Sequence, residues 1–321
     1  MIRFLTNDMI DKSRWDDCII HALNGNLNGR SWFLDIVSPG WFALVEDDYE
    51  MVFPLTVSSR AGIKYIMQPY FTQQLGLFYR TLSSETKLLE FIDAIPSEYK
   101  YIDINLNTSN RLCSAGIESE MANLELDLIS EYDIICSGYQ TNLQRNLRKA
   151  AQNKLTMAIH MRPEEIIQLF RANKGRELKH LSDAQYNMMQ KIADECIQRG
   201  VGEIWGAYDE FNQLVAAILW VTSHQKTIFL FSALSEPGKK LNAMPWLIDS
   251  FIRQNAGRPI TLDFEGSNNT GLARFYSSFG ANRVIYQRYV RNTLPLVYRI
   301  VLKIWRLGRS RLKKYFPLFK H

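Results

Sequence analysis

The sequence lacks clustered cysteines and long apolar runs, and each absence excludes a class of protein. The four cysteines among 321 residues form no Cys-x-x-Cys or Cys/His cluster, so we expect reduced thiols and no metal site. No window reaches the ~18 consecutive apolar residues of a transmembrane helix. Acidic residues follow closely on Met1, where a signal peptide would be basic and then apolar. We therefore expect a cytoplasmic protein.

Acidic residues are also missing from the end of the chain. The net charge is +5, yet no Asp or Glu follows Glu265, and nine Lys or Arg between 291 and 321 leave residues 1–290 at −4. Five apolar residues recur at helical spacing with cations opposite them: Val297, Ile300, Val301, Ile304 and Leu307. Residues 293–321 are thus predicted to form a basic amphipathic helix. Three partners stay open for 294–321: anionic lipid at the inner membrane face, RNA phosphates, or the oppositely charged body of the protein.

The rest of the chain uses one pattern twice. WFALVEDDYEMVFPLTVS, from Trp41, and WGAYDEFNQLVAAILWVTS, from Trp205, each consist of two apolar runs around an acidic turn, which predicts a β-hairpin. Each is followed by a strand, a helix and a short strand carrying Asp, YIDINLN at 101–107 and ITLDFEGS at 260–267. We therefore predict tandem α/β domains, 1–140 and 141–292, each a mixed sheet flanked by helices.

Regular spacing predicts the elements of the second copy. The amphipathic segment 141–155 indicates a helix, and Pro163 with two acids opens a helical region that ends at Gly200. The other predicted elements are strands at 155–161, 226–233, 260–266 and 283–290, a hairpin at 203–221, and helices at 243–255 and 269–279.

Two loops follow carboxyl ends of strands, where open sheets bind ligands. In the first, Gly238, Lys239 and Lys240 precede a predicted helix and could hold a phosphate through N–H groups, the helix dipole and ammonium groups. Ser235 and Asn242 flank them as further cofactor-binding candidates. The alternative is a polar loop with two solvated lysines.

The second loop follows Asp263 and Glu265, which at spacing i, i+2 are predicted to share one face of a strand. Carboxylates beside a core are costly unless they are paired or face a cleft. One of them is therefore a candidate general base with a raised pKa. The alternative is that they cap the next helix or pair with Arg274.

The helix after this strand carries a recognisable motif. Asn269, followed by Phe275-Tyr276 and then Phe279-Gly280-Ala281, resembles the N…LY…LGF segment of the GNAT acyltransferases. The resemblance implies an acetyl-CoA or other acyl-CoA donor, positioned in part by Asn269, and a Tyr276 that protonates the departing thiolate. The sequence departs from the family pattern at two points. Ala281 stands where an aromatic residue is usual, and the loop at 235–244 lacks the usual Gln/Arg-x-x-Gly-x-Gly/Ala motif that holds the pyrophosphate.

Both departures are familiar in the two-domain FemABX-like and BioF-associated-type acyltransferases. The resemblance to this branch extends to about residue 290 and rests on the repeat and on RNLRKA (145–150), DFEGS…ARFYSSFGA (263–281) and QPYFTQQLG (68–76). The long coiled-coil arm of some FemABX enzymes is not apparent.

The first copy lacks the candidate catalytic groups. Asp103 matches Asp263, but Asn105 replaces Glu265 and Leu112 stands opposite Tyr276. We expect this domain to be catalytically empty and to form one wall of the acceptor cleft through Tyr70, Gln73 and Gln74. A structural role for these three residues is the alternative.

These features predict an N-acyltransferase that moves an acyl group from acyl-CoA to an amine on a small molecule, peptide or envelope precursor, bound between the two domains. Glu265, preferred over Asp263, would accept the proton of the amine. Two alternatives remain: aminoacyl transfer from tRNA to a cell-envelope precursor, and a non-catalytic GNAT-like binding protein.

Overall fold

The computed structural model describes residues 1–60, 62–113, 116–178, 181–266 and 270–295. Asn269 and the predicted tail beyond Pro295 lie outside these ranges. The chain divides into two compact units: unit 1 contains Met1–Ala122 and the chain from Ile285 onward, and unit 2 contains Asn123–Val284. No described helix has the length and apolar character that crossing a membrane requires.

The division differs from the predicted boundaries at 140/141 and 292/293. Residues 123–140 belong to unit 2 because Leu126, Ile135 and Tyr139 are buried in its core. The last strand returns to unit 1, where Val290 pairs with Asp103.

Unit 1 is built mainly from the N-terminal third of the chain. Its elements are β1 (Ile2–Leu5), α1 (Lys12–His21), α2 (Ser31–Val37), β2 (Phe42–Glu46), β3 (Met51–Leu55), β4 (Val57–Arg60), β5 (Ile63–Met67), β6 (Phe78–Tyr79), α3 (Glu85–Asp93), β7 (Tyr99–Asn105) and the start of β8 (Ile117–Asp127). An antiparallel sheet has the order β1-β2-β3-β6, and its β2–β3 hairpin confirms the one predicted after Trp41. β5 and β7 pair in parallel, and α3 lies between them in the sequence.

Unit 2 begins within β8. Its further elements are α4 (Tyr132–Ser137), α5 (Thr141–Ala150), β9 (Thr156–Ala158), α6 (Pro163–Ala172), α7 (Asp183–Gln198), β10 (Gly202–Tyr208), β11 (Leu214–Ser223), β12 (Lys226–Leu234), α8 (Glu236–Lys240), α9 (Ala243–Asn255), β13 (Thr261–Asp263), α10 (Thr270–Ser277) and the start of β14 (Asn282–Asn292). The strand order is β8-β13-β12-β11-β10-β9. The mixed α/β architecture predicted from the sequence is therefore confirmed.

Aromatic side chains fill the core of unit 2 on one face of its sheet. Trp220 stacks on Phe251 of α9, with centroids 4.1 Å apart, and Trp205 contacts the same ring at 5.3 Å. On the other face Phe170 of α6 packs on Phe231 of β12 at 4.8 Å. Helices therefore pack on both faces of the unit 2 sheet.

Candidate active site

The site begins where β12 and β13 part. Their parallel pairing ends at Ile228 and Asp263, although β12 continues to Leu234. Pairing with β11 skips Leu230, because Trp220 lies opposite Phe229 and Leu219 opposite Phe231. Such a bulge bends a strand and increases its twist. Among the described residues, 229–234 have no strand partner on the β13 side.

Asp263 lies at the end of β13 and is 6% exposed. Its Oδ1 accepts a hydrogen bond from the backbone N–H of Glu265 at 2.7 Å, and its Oδ2 is 3.7 Å from Nζ of Lys226. Burial raises the pKa of Asp263 to about 6; the Lys226 ammonium opposes this shift and the charge of Glu125 adds to it. The cation beside Asp263 is thus Lys226, not the alternative Arg274.

Lys226 is shared between two carboxylates. Its Nζ lies 2.6 Å from Oε1 of Glu125, which is directly opposite Asp263 in the β8–β13 register. Asn123, fully buried, donates to the same Oε1 at 3.0 Å. These three residues were missed in the sequence analysis, although alternation along β8 places Asn123 and Glu125 on one face.

Glu265 does not continue the strand. Since β13 ends at Asp263 and Glu265 has a φ of 50°, the alternation rule that predicted a common strand face no longer applies at this position. Positive φ is uncommon outside glycine and recurs at functional sites. The side chain is half-buried, and burial, followed by the charge of Asp263, raises its pKa well above the usual range.

Tyr276 lies on α10, and its residue is 8% exposed. Its ring stacks on Phe264 with centroids 4.8 Å apart and planes at 18°, and it meets Phe229 of β12 edge-on at 5.7 Å. Burial raises the pKa of the phenol, and the charge of Glu265 raises it further. Tyr276 thus packs between Phe264, which precedes Glu265 in the chain, and Phe229, where the pairing of β12 with β13 has ended.

The segment 235–242 is organised differently from an open phosphate loop. Residues 236–240 form the short helix α8, which the sequence analysis did not predict, and Ser235 caps it by accepting from the N–H of Gly238 at 3.0 Å. A Cβ on Gly238 would lie 2.3 Å from the carbonyl oxygen of Val215. Lys239 pairs with Glu236, and Asn242, with φ 55°, precedes α9. The Gly238 N–H and the Lys239 ammonium thus have partners within this segment or beside it.

Tyr70, Gln73 and Gln74 lie in unit 1, in the loop before β6. Gln74 is 7% exposed; its amide donates to Gln73 at 2.6 Å and accepts from the N–H of Thr108 at 3.0 Å. The Tyr70 ring is half-buried beside Phe71, centroid to centroid 6.3 Å. The two glutamines hold the loop together through these bonds.

Asp103, the sequence match of Asp263, has a different environment. Arg288 binds both of its oxygens at 2.7 Å, and the Tyr101 hydroxyl donates to Oδ2 at 2.6 Å. Leu112, opposite Tyr276 in the repeat, is buried in the unit 1 core. Unit 1 therefore places a paired carboxylate and an apolar side chain where unit 2 has titratable groups. Across the described residues, no three His, Cys, Asp or Glu side chains are grouped as a metal site.

The comparisons define the class of unit 2. Residues 137–274 match the family described as acetyltransferase (GNAT) domain, and this segment lies wholly within unit 2. Residues 137–274 therefore form a GNAT-type acetyltransferase domain, the class that the sequence analysis expected, and Tyr276 lies two residues beyond the matched segment.

Three solved structures share the fold over most of the chain. FemX superposes with a TM-score of 0.61 at 12% identity, covering 87% of this chain and 96% of FemX. A conserved protein of unknown function from Bacteroides thetaiotaomicron gives 0.56 at 11%, covering 90% and 99%. L-PGS from Bacillus licheniformis gives 0.52 at 11%, covering 91% and 95%. No curated protein sequence matches the chain.

Proposed function

We propose that unit 2 transfers an acyl group from an activated carrier to an amine acceptor. The observation that carries this proposal is the stacking of the buried Tyr276 ring on Phe264, the residue between Asp263 and Glu265, at the end of β13. Amine acylation needs a base for the attacking nitrogen and an acid for the leaving atom. Glu265, within the segment that matches the GNAT family, and Tyr276, two residues beyond it, would meet that need.

In the proposed reaction the amine nitrogen attacks the carbonyl carbon of the donor, and Glu265 accepts the proton that the nitrogen loses. Backbone N–H groups along 229–234 of β12 stabilise the oxyanion. The bond from carbon to the carrier sulfur or oxygen then breaks, and Tyr276 donates its proton to the departing atom. Asp263 holds Glu265 in its left-handed conformation through the bond to its N–H.

Acyl-CoA, with acetyl-CoA the first to test, is the donor that the GNAT domain favours. Aminoacyl-tRNA is the second candidate, for two reasons. The Gly238 N–H, which a phosphate cradle would use, is occupied by Ser235, and FemX shares the fold over 87% of the chain. A peptide, small-molecule or envelope-precursor amine is the proposed acceptor.

Titration calorimetry with acetyl-CoA, longer acyl-CoA species and aminoacyl-tRNA tests the proposal. One of these donors should bind and should be consumed when amines are added. Binding of none of them would favour a non-catalytic binding protein instead.

We further propose that unit 1 descends from the same domain and is catalytically empty. In each unit a helix connects two parallel strands, β5 to β7 in unit 1 and β12 to β13 in unit 2, and an Asp sits near the end of the second strand. The pairing of Asp103 with Arg288 supports the loss of activity. Tyr70, Gln73 and Gln74 are proposed to contribute to acceptor binding.

For location we propose a cytoplasmic protein that reaches the inner membrane face through residues 294–321. Sequence pattern alone supports this, since nearly all of the segment lies outside the described residues. Pelleting with anionic vesicles, with and without 294–321, tests the proposal, and equal pelleting of both forms would dismiss it.

A further inference from the structure

The amphipathic helix α5 begins a surface with an unusual charge distribution. No Asp or Glu occurs between Asp133 and Glu164, a stretch that contains five Lys or Arg. Three of these cations, Arg145, Arg148 and Lys149, lie exposed on α5. Within the described part of the chain, none of the three forms an ion pair. An unneutralised cluster of this kind attracts polyanions.

The apolar side of α5 is buried against unit 2. Leu143 and Ala150 are buried in the unit 2 core, with 2% and 1% exposure, and the helix packs on α9. Only the polar side therefore faces solvent, so α5 has no apolar face to insert between lipid chains. Its charges instead favour phosphate groups in water.

The turn that follows α5 lies beside the predicted phosphate segment. Residues 145, 148 and 149 share one face of α5, and Gln152, in the turn after the helix, lines a cavity of about 480 Å³. The cavity also borders Lys240 and Leu241, and Asn153 donates to the Leu241 carbonyl at 3.1 Å. The turn after α5 and the end of α8 thus border one opening.

The acidic residues at this opening have partners. Asp209 accepts from the N–H groups of Phe211 and Gln213 at 3.0 and 2.9 Å. Glu210 pairs with Lys154 at 3.4 Å. Lys154 and Lys240 balance the charges of Asp209 and Glu210 at the opening, so the excess positive charge in this region comes from the α5 cations.

We propose that α5 and this cavity bind the phosphates of the acyl donor's carrier. The inference rests on the proposed function and explains how a carrier could be held although the Gly238 N–H is capped by Ser235. The shared chemistry is phosphate attached to an adenosine-ended carrier, which coenzyme A and the 3′ end of tRNA both supply. Side-chain cations on α5 replace the backbone cradle.

The test compares two double variants of the full chain that remove equal charge. Arg148→Gln/Lys149→Gln changes the α5 surface, and Arg176→Gln/Lys191→Gln changes exposed cations elsewhere in unit 2. Binding of coenzyme A and of deacylated tRNA is measured by calorimetry or anisotropy. The first variant should weaken binding of one carrier about tenfold or more, and the control should leave it within about twofold.

The measurements with coenzyme A and with tRNA distinguish the two carriers. If tRNA is the ligand, the slope of log affinity against log salt should fall by about one to two in the α5 variant; if coenzyme A is the ligand, tRNA binding is weak in all forms. Equal affinities in the wild type and the α5 variant would overturn the proposal. Binding of phosphatidylglycerol vesicles that depends on Arg148 and Lys149, with no carrier bound, would also overturn it.

Failure of the proposed function is distinguishable because binding needs no chemistry. Glu265→Gln should bind the carrier like the wild type. If Glu265→Gln transfers acyl groups normally while the α5 variant loses the carrier, Glu265 is not the base, but the phosphate-binding role of α5 remains supported.

Discussion

The backbone N–H of Glu265 donates to Oδ1 of Asp263 at 2.7 Å, and this bond joins the last residue of β13 to the candidate base. Glu265 adopts a φ of 50°, a conformation that costs a residue with a Cβ on the order of 1 kcal/mol. The carboxylate of Asp263 offsets that cost by accepting the N–H that the turn exposes. The two acids therefore have different proposed roles: Asp263 positions Glu265, and Glu265 is the candidate general base.

Replacement of Glu265 by Gln should lower kcat by about 100-fold or more, because the amide cannot accept a proton. In the wild type, activity should rise with pH through the raised pKa of Glu265, since the base acts only when ionised. Glu164→Gln, an exposed change on α6, is the matched control. pH–rate profiles check this; an unchanged profile in Glu265→Gln would remove Glu265 from the mechanism.

Asp263→Asn tests the buried carboxylate through stability. The folded-state pKa of about 6 exceeds the ordinary 3.8, so the folded protein binds more protons than the unfolded chain between these values. The ionised group thus disfavours folding at neutral pH by about 3 kcal/mol, and this penalty fades as pH falls from about 6 to about 4.

Thermal unfolding from pH 7.5 to pH 4.5 measures that effect. The stability of Asp263→Asn relative to the wild type should decrease as pH falls, because only the wild type loses the penalty. Asp133→Asn, an exposed change on α4, should show no such trend. Parallel curves for Asp263→Asn and the wild type would contradict the burial argument.

Hydrophobic periodicity predicted most elements of unit 2. The helix expected at 243–255 is α9 with the same bounds, and the hairpin at 203–221 is β10–β11. The domain boundary was harder to predict from the sequence. Residues 123–140 contain no sequence break, and only tertiary packing of Leu126 and Ile135 assigns them to unit 2.

Only some residues of the candidate site could be proposed from the sequence. Motif spacing singled out Asp263, Glu265 and Tyr276, and in the structure Glu265 bonds to Asp263 while Tyr276 packs on Phe264. The partners Lys226 and Glu125 are 37 and 138 positions from Asp263 in sequence, so only the strand register reveals them. The short helix α8 was missed because Gly238 suggests a flexible loop, whereas its lack of a Cβ serves close packing on Val215.

Tyr276→Phe should lower turnover and leave donor affinity nearly unchanged. The Phe ring can keep the stacking on Phe264, so the free energy of unfolding should change by less than about 1 kcal/mol. Since burial raises the pKa of Tyr276, its ionisation should not appear in the rate profile near neutral pH. Single-turnover kinetics and calorimetry check this; a large loss of donor affinity would mean that the phenol binds the donor instead.

Gly238→Ala should destabilise unit 2 through packing. The new Cβ would lie 2.3 Å from the Val215 carbonyl oxygen, so backbone must move at a cost of about 1–3 kcal/mol. Lys239→Ala, which removes only an exposed side chain and its pair with Glu236, should change stability by under about 0.5 kcal/mol. Denaturant unfolding measures both, and equal midpoints would show that the α8 contact can relax.

The last prediction concerns the carboxylate of unit 1. Arg288→Met should lower the free energy of unfolding by about 3 kcal/mol, because it removes the cation that binds both oxygens of the buried Asp103 carboxylate. Asp103→Leu/Arg288→Met removes both charges and should recover much of that loss. Neither variant should alter turnover per folded molecule if unit 1 is catalytically empty. Turnover lost in the stable double variant, with donor affinity retained, would instead give Asp103 a part in the reaction.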